Sequence, residues 1–141
     1  MADLIDTFNV AASGLAAERL RLQTIATNMA NARTTRTADG GPYERRVPLF
    51  QSAEVDPFGS ELERAAARVE VVGIYGDGRP PTRVYDPSHP DADPDGYVSY
   101  PDINILQEMV DLMSTSRSYE ANATAVEATR DMAMRALSIG G

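Results

Sequence analysis

The carboxylates that could do chemistry gather between Asp91 and Asp102. Asp91, Asp93 and Asp95 alternate along the chain, Gly96 follows, Val98 and Ser99 come next, and Asp102 closes the run. This nearly fits a calcium loop, in which oxygens at positions 1, 3 and 5, a glycine at 6 and a carboxylate at 12 wrap a hard cation. Three features oppose that chemistry. Asp102 is shorter than the bidentate glutamate such loops use, and Pro94 and Pro101 stiffen a segment that must curl around the ion. Residues 79–90, with prolines at 80, 81, 87 and 90, cannot form the entering helix. The preferred reading is a proline-rich acidic turn that starts a hairpin, with no metal or other cofactor.

The remaining chemistry is sparse. His89 is the single histidine and lies between Pro87 and Pro90, where a hydrogen-bonding role in a turn is the simplest expectation. Absence of cysteine excludes thiolate nucleophiles, zinc–thiolate sites and disulfides. Serines and threonines abound, but no nucleophile elbow, phosphate loop or dinucleotide fingerprint accompanies them. No enzymatic function is expected. With 21 acidic and 13 basic residues in 141, the net charge is −8, the wrong sign for binding nucleic acid or anionic lipid. No run approaches the ~20 apolar residues that span a bilayer, so no direct membrane insertion is expected. Met1-Ala-Asp-Leu-Ile-Asp6 lacks the basic and apolar regions of a cleavable secretory signal.

The elements that would carry any site fall into three zones. All nine prolines and seven of the ten glycines lie in residues 37–101. Residues 1–36 and 102–141 contain no proline and read as long helices. In the first, Leu4, Phe8, Ala11, Leu15, Leu22, Ile25 and Met29 recur at spacings of three, four and seven, with Glu18 the one polar seam position. Asp3 is its expected N-cap, and the helical signal fades at Asn31. In the second, Asp102 is the expected N-cap after Pro101, and Met109, Leu112, Ser116, Tyr119, Ala123, Val126, Arg130, Ala133 and Leu137 form the stripe, ending before Gly140-Gly141. At about 1.5 Å per residue these helices outrun a globule whose radius of gyration should be near ~14 Å. The expected fold is therefore mainly α with a small β module: N- and C-terminal helices paired as a coiled-coil arm, and a short β-rich middle. Candidate strands are 43–50, 68–75, 83–85 and 97–100, with turns at Gly40-Gly41-Pro42, Asp77-Gly78 and Asp95-Gly96. Ser13-Gly14, mid-helix, either permits close approach of another helix or is simply tolerated.

Several segments are more specific than their periodicity. Ala12-Ser-Gly-Leu-Ala-Ala-Glu-Arg-Leu20 and Ala26-Thr-Asn-Met-Ala-Asn-Ala32 resemble the N-terminal signature of bacterial flagellar axial proteins, the rod, hook and filament-junction subunits. Thr37-Ala-Asp-Gly-Gly-Pro-Tyr43, Asp86-Pro-Ser-His-Pro-Asp91, Asp95-Gly-Tyr-Val98, Glu108-Met-Val-Asp-Leu-Met113, Ser116-Arg-Ser-Tyr-Glu-Ala-Asn122 and Ala133-Met-Arg-Ala-Leu137 are similar to the proximal-rod family of the FlgC type. Met29 departs from the isoleucine more usual there.

This resemblance implies a structural subunit of the basal-body rod, built into a helical tube that transmits motor torque and provides the export channel. Terminal segments, poorly ordered in the free subunit, would become helical in the inner layer, with the β module outside. The implied partners are proximal and distal rod subunits, a rod-base adaptor at the export gate and MS ring, and copies of this chain. Export would use the flagellar type III apparatus without cleavage, and the location would be the periplasmic rod. The assembly residues would be Leu4, Phe8, Leu15, Glu18, Leu22, Ile25 and Met29 on the first helix, and Met109, Leu112, Tyr119, Val126, Arg130 and Leu137 on the second. Glu18 and Arg130 intrude into apolar stripes and are candidates for a charge pair within or between subunits. Asn28 and Asn31 are read as capping the first helix. Two other readings stay open: a calcium-binding regulatory module using loop 91–102, and a soluble two-helix adaptor.

Overall fold

A computed structural model describes residues 2–54 and 67–139, with side chains for all but residues 2–6, 54, 137 and 139. Helix α1 spans Ala2–Ala30 and helix α2 Ile105–Ile139. At 29 and 35 residues they are about 44 and 53 Å long. Between them lie two antiparallel hairpins: β1 (Arg46–Glu54) with β2 (Ala67–Gly76), and β3 (Thr82–Tyr85) with β4 (Tyr97–Tyr100). Each hairpin is its own two-stranded sheet.

Both helix starts differ from expectation. Helix α1 is already helical at Ala2, so Asp3 lies inside its first turn rather than before it. Helix α2 is capped by Asn104, whose Oδ1 accepts the N–H of Leu106 at 3.0 Å and of Gln107 at 3.2 Å. Asp102 precedes the cap in a turn closed by the Ile103 N–H on the Pro101 carbonyl, and its carboxylate faces Arg79 at 3.7 Å. The end of α1 matches the reading at Asn31: its side-chain amide donates to the Thr27 carbonyl and its Oδ1 accepts the Thr34 hydroxyl. The expected stop at Gly140-Gly141 lies outside the described residues.

The chain then reverses through Gly40 and Gly41, both at φ near +80°, a conformation that favours glycine. Strand β1 starts three residues later than the sequence suggests. Tyr43, Glu44 and Arg45 form no ladder: the Tyr43 hydroxyl and the Arg46 backbone are held by Asn28 of α1, the Arg45 side chain by Glu108 of α2, and Glu44 accepts the Gly78 N–H at 3.1 Å. A bulge between Leu49 and Phe50 bends the first hairpin.

The helices pack against each other, and the β1–β2 hairpin lies on α1. Arg21 covers the Phe50 ring at 5.2 Å. The Ser13 hydroxyl donates to the Val10 carbonyl and accepts the Val69 N–H at 3.0 Å, so this mid-helix residue ties α1 to a strand. Gly14 beside it has open space where a Cβ would sit, so no close helix approach within the chain requires that glycine.

A regular heptad seam is not what this packing shows. Among the described side chains of α1 the buried ones are Ala17, Thr24, Ile25 and Asn28, of which only Ile25 belongs to the expected stripe. Phe8, Leu15, Leu22 and Met29 are half-buried, as are Leu112, Tyr119 and Val126 on α2. Met109 is 46 % exposed because its neighbour Glu108 takes the inward position, which turns Met109 about 100° away. Leu4 and Leu137 have side chains outside the described residues. Replacing Asn104 by Ala should cost about 1 kcal/mol of stability, seen in chemical denaturation and as faster amide exchange at Leu106 and Gln107, whereas Asp102→Ala should stay within about 0.5 kcal/mol.

Candidate functional site

The best-defined constellation lies where α1 ends, β1 begins and α2 starts. Asn28 is only 1 % exposed. Its Oδ1 accepts the Arg46 N–H and the Tyr43 hydroxyl, each at 2.9 Å. Its Nδ2 donates to the Arg46 carbonyl at 2.9 Å and to Glu108 Oε2 at 3.3 Å. The amide thereby pairs with both backbone groups of Arg46 as a neighbouring strand would, and its donors and acceptors are all used.

Glu108, equally buried, is neutralised by Arg45, whose Nε and Nη2 both reach Oε1 at 2.7 Å. Arg45 also faces Asp77 at 3.5 Å, and Asp77 in turn binds Arg79 at 3.0 Å. Burial works against the Arg45 charge, but the Glu108 and Asp77 carboxylates outweigh it and hold the guanidinium above its ordinary pKa. Burial also raises the Tyr43 hydroxyl pKa, which keeps that group a neutral donor.

These residues join three segments that the hydrophobic pattern could not join. Asn28 does stand near the helix end, yet it binds β1 and α2 instead of capping α1. The signal was present for Glu108: it lies four residues before Leu112, so extending the α2 stripe backwards meets a carboxylate at an inward position.

The acidic loop meets donors of its own and of neighbouring segments. Asp91 accepts the Thr35 hydroxyl at 2.8 Å and faces Arg36. Asp93 Oδ1 accepts the N–H groups of Asp95 and Tyr97, and its other oxygen pairs with Arg83. His89 Nδ1 accepts the Asp91 N–H at 3.1 Å. Among the described residues no group of three acidic or histidine side chains converges on a metal position. The calcium reading is overturned by this geometry: the Asp91 and Asp93 oxygens that would ligate an ion are turned onto Thr35, Arg36, Arg83 and the N–H groups of Asp95 and Tyr97.

The expected charge pair is not formed within one chain. Glu18 faces Arg21 at 3.6 Å, its Oε2 is buried without a hydrogen-bond partner, and Arg130 is exposed. Large apolar side chains are left in solvent on α2, with Leu106 71 %, Met113 59 % and Met132 64 % exposed. Such surface in a monomer marks a site of association.

Comparison with known proteins decides what kind of association. The family model "Flagella basal body rod protein" matches residues 8–36, and "Flagellar basal body rod FlgEFG protein C-terminal" matches residues 95–139. The flagellar basal-body rod protein FlgC of Bacillus subtilis is 42 % identical, over 95 % of this chain and 96 % of its own length. FlgC of Borreliella burgdorferi is 40 % identical over 96 % of this chain and 97 % of its own length, and FlgC of Salmonella typhimurium is 36 % identical over 97 % and 98 %. This chain belongs to the FlgC family of flagellar basal-body rod proteins. As a FlgC-family protein it is a structural component of the rod, not an enzyme, and it assembles with other basal-body rod proteins. The two family models fall on the helical ends, which also supply Asn28 and Glu108. Among the described residues no helix is long and apolar enough to cross a membrane.

Two measurements check this site. Asn28→Ala strands the Arg46 backbone groups and the Tyr43 hydroxyl, and should cost roughly 2–3 kcal/mol in urea denaturation, while an Arg45→Ala, Glu108→Ala double-mutant cycle should show coupling of about 1–3 kcal/mol. In the acidic loop, the Tyr97 N–H and then Arg83 hold Asp93 below its ordinary value of 3.8, and the Ser88 hydroxyl does the same for Asp86. Because both folded values are depressed, their stabilisation is complete above 3.8 and is lost as pH falls through the folded values. Amide exchange in residues 86–97, corrected for intrinsic rates, should therefore accelerate below that pH, and at pH 7 millimolar calcium should leave it unchanged.

Proposed function

We propose that this FlgC-family chain is a proximal-rod subunit in which segments 1–36 and 102–141 form the inner layer of a hollow helical tube and segment 37–101 lies outside it. One observation carries the reading: α2 presents Leu106, Met113 and Met132 to solvent while the element it packs on is α1 and the first hairpin lies on α1 instead. A helix in that state needs neighbours. Head-to-tail contacts that do not close on themselves generate a tube, which suits a rod that transmits torque across the periplasm and encloses an export channel. The partners are other proximal and distal rod subunits, copies of this chain and an adaptor at the export gate and MS ring. Export goes through the flagellar type III apparatus without cleavage.

In this reading the assembly residues are Leu4, Phe8, Leu15, Leu22, Ile25 and Met29 of α1 and Met109, Leu112, Tyr119, Val126 and Leu137 of α2. Glu18 and Arg130 complete the set. With Arg130 exposed and Glu18 Oε2 meeting Arg21 at 3.6 Å without a hydrogen bond, their pairing belongs between subunits. Two results test the reading. Met113→Asp should leave the isolated chain within about 0.5 kcal/mol of its parent yet abolish incorporation into rods reconstituted with other rod subunits, scored by electron microscopy. A Glu18→Ala, Arg130→Ala cycle on assembled rods should show coupling of about 0.5–3 kcal/mol, and additivity would remove the intersubunit pair.

A further inference from the structure

Two apolar surfaces of this chain both point away from α1. On α2, Glu108, Leu112, Thr115 and Tyr119 make up the buried or half-buried side, and α1 is the element that side packs on. Leu106, Val110 and Met113 recur at steps of four and three on the opposite side, about 160° round the helix, and each is more than half exposed. Arg117 continues that row and is exposed. On the first hairpin, Phe50 faces α1 beneath Arg21, so Leu49 and Val47 point the other way. Tyr75 lies opposite Val47, and its ring covers Gly73, where a Cβ would come within 3.0 Å of it. Val47, Leu49 and Tyr75 are all exposed. Farther along the same face Gln51 lies opposite Glu70 and donates to its carboxylate at 3.2 Å.

We infer that these surfaces are the two halves of one contact between copies of this chain: the Leu106–Val110–Met113 row of one copy lies on the Val47–Leu49–Tyr75 face of a second, and Arg117 meets Glu70. Within one chain they cannot meet, because each points away from the helix to which both are attached. Their charges complement each other at matching distances. Arg117 lies about 11 Å beyond the middle of the helical row, and Glu70 about 10 Å beyond the middle of the hairpin row. Among the described residues neither has an ion-pair partner of its own. The patch is small beside the roughly 800 Å² per partner of a stable pair, so this contact alone is transient. It joins unlike surfaces, and each added copy leaves one of each uncovered. This deepens the rod reading by naming which surfaces of two copies meet.

The sequence contains no cysteine, so an introduced disulfide traps even a transient contact without competing thiols. Full-length Leu49→Cys copies are mixed with Val110→Cys copies in solution and oxidised, each rate being divided by that thiol's rate with a small neutral disulfide. The mixed dimer should form at least about tenfold faster than from Leu49→Cys with Ala125→Cys, which lies ~22 Å farther out on α2. At low ionic strength Arg117→Glu in the Val110→Cys copy should slow crosslinking about fivefold, and Glu70→Arg in the other copy should restore it to within about twofold. A mixed pair no faster than the control overturns the contact and leaves both surfaces to unlike rod subunits. Faster crosslinking of Val110→Cys with itself overturns it too, since helical row would then pack on helical row. So does a slowing that Glu70→Arg fails to restore, because the two rows would not be aligned as inferred. These rates are read on free copies, so they stand or fall separately from rod incorporation by Met113→Asp.

Discussion

One buried amide holds this architecture together. Asn28 sits on the last turn of α1 and makes the two hydrogen bonds to Arg46 that a strand partner would make, so the helix end and the strand start are fixed at a single residue. The same amide reaches Glu108 and thereby sets the position of α2. A carboxylate so deeply buried is tolerable only because Arg45 neutralises it from the segment between. Removing Glu108 leaves both Asn28 and Arg45 short of a partner, and removing either of those leaves the buried Glu108 carboxylate short of one. Among the described residues there is no large apolar core to absorb that loss: the buried apolar ones are Ala17, Ile25, Ala32, Tyr43 and Val98.

That meagre core explains how the chain divides its work. A polar cluster orients its partners more narrowly than apolar packing does, because hydrogen bonds require angles as well as proximity. The helix bases are thus well aimed although little surface is buried there. Further out the requirement reverses, and exposed methionines suit surfaces to be covered later, since an unbranched side chain adapts to whatever packs on it. Precise placement at one end and adaptable contact at the other is a sensible division for a subunit of a FlgC-family rod protein.

Much of this was legible in the sequence, and the misreadings share a cause. Proline and glycine distribution separated the helices from the hairpins, and Gly40, Gly41, Gly78 and Gly96 all adopt the positive φ that their turn context suggested. Periodicity located both helices but misplaced their inward faces, because a seam argument assumes that apolar side chains face inward. Here Glu108, Asn28, Thr24 and Thr115 occupy buried positions and Met109 does not. Polar burial is decided by partners distant in sequence: Arg45 is 63 residues from Glu108, a pairing no local pattern announces. The acidic loop misleads for the opposite reason. Its spacing is that of ligands, but proximity of Thr35, Arg36 and Arg83 supplies the donors that spacing alone cannot reveal.

The first hairpin has a mechanical consequence. It is fastened to α1 at two levels, through Arg46 at Asn28 and through Val69 at Ser13, points about 22 Å apart along the helix. A two-stranded ribbon fixed at both ends of such a span acts as a splint. Flexing α1 between those levels would have to stretch the fastenings or buckle the ribbon at its Leu49–Phe50 bulge. Helix α2 makes no comparable described attachment to that hairpin beyond its base. Under load, then, the two helices should not deform alike: α1 behaves as the stiff member and α2 as the compliant one, so strain imposed along the chain is taken up by the outer turns of α2.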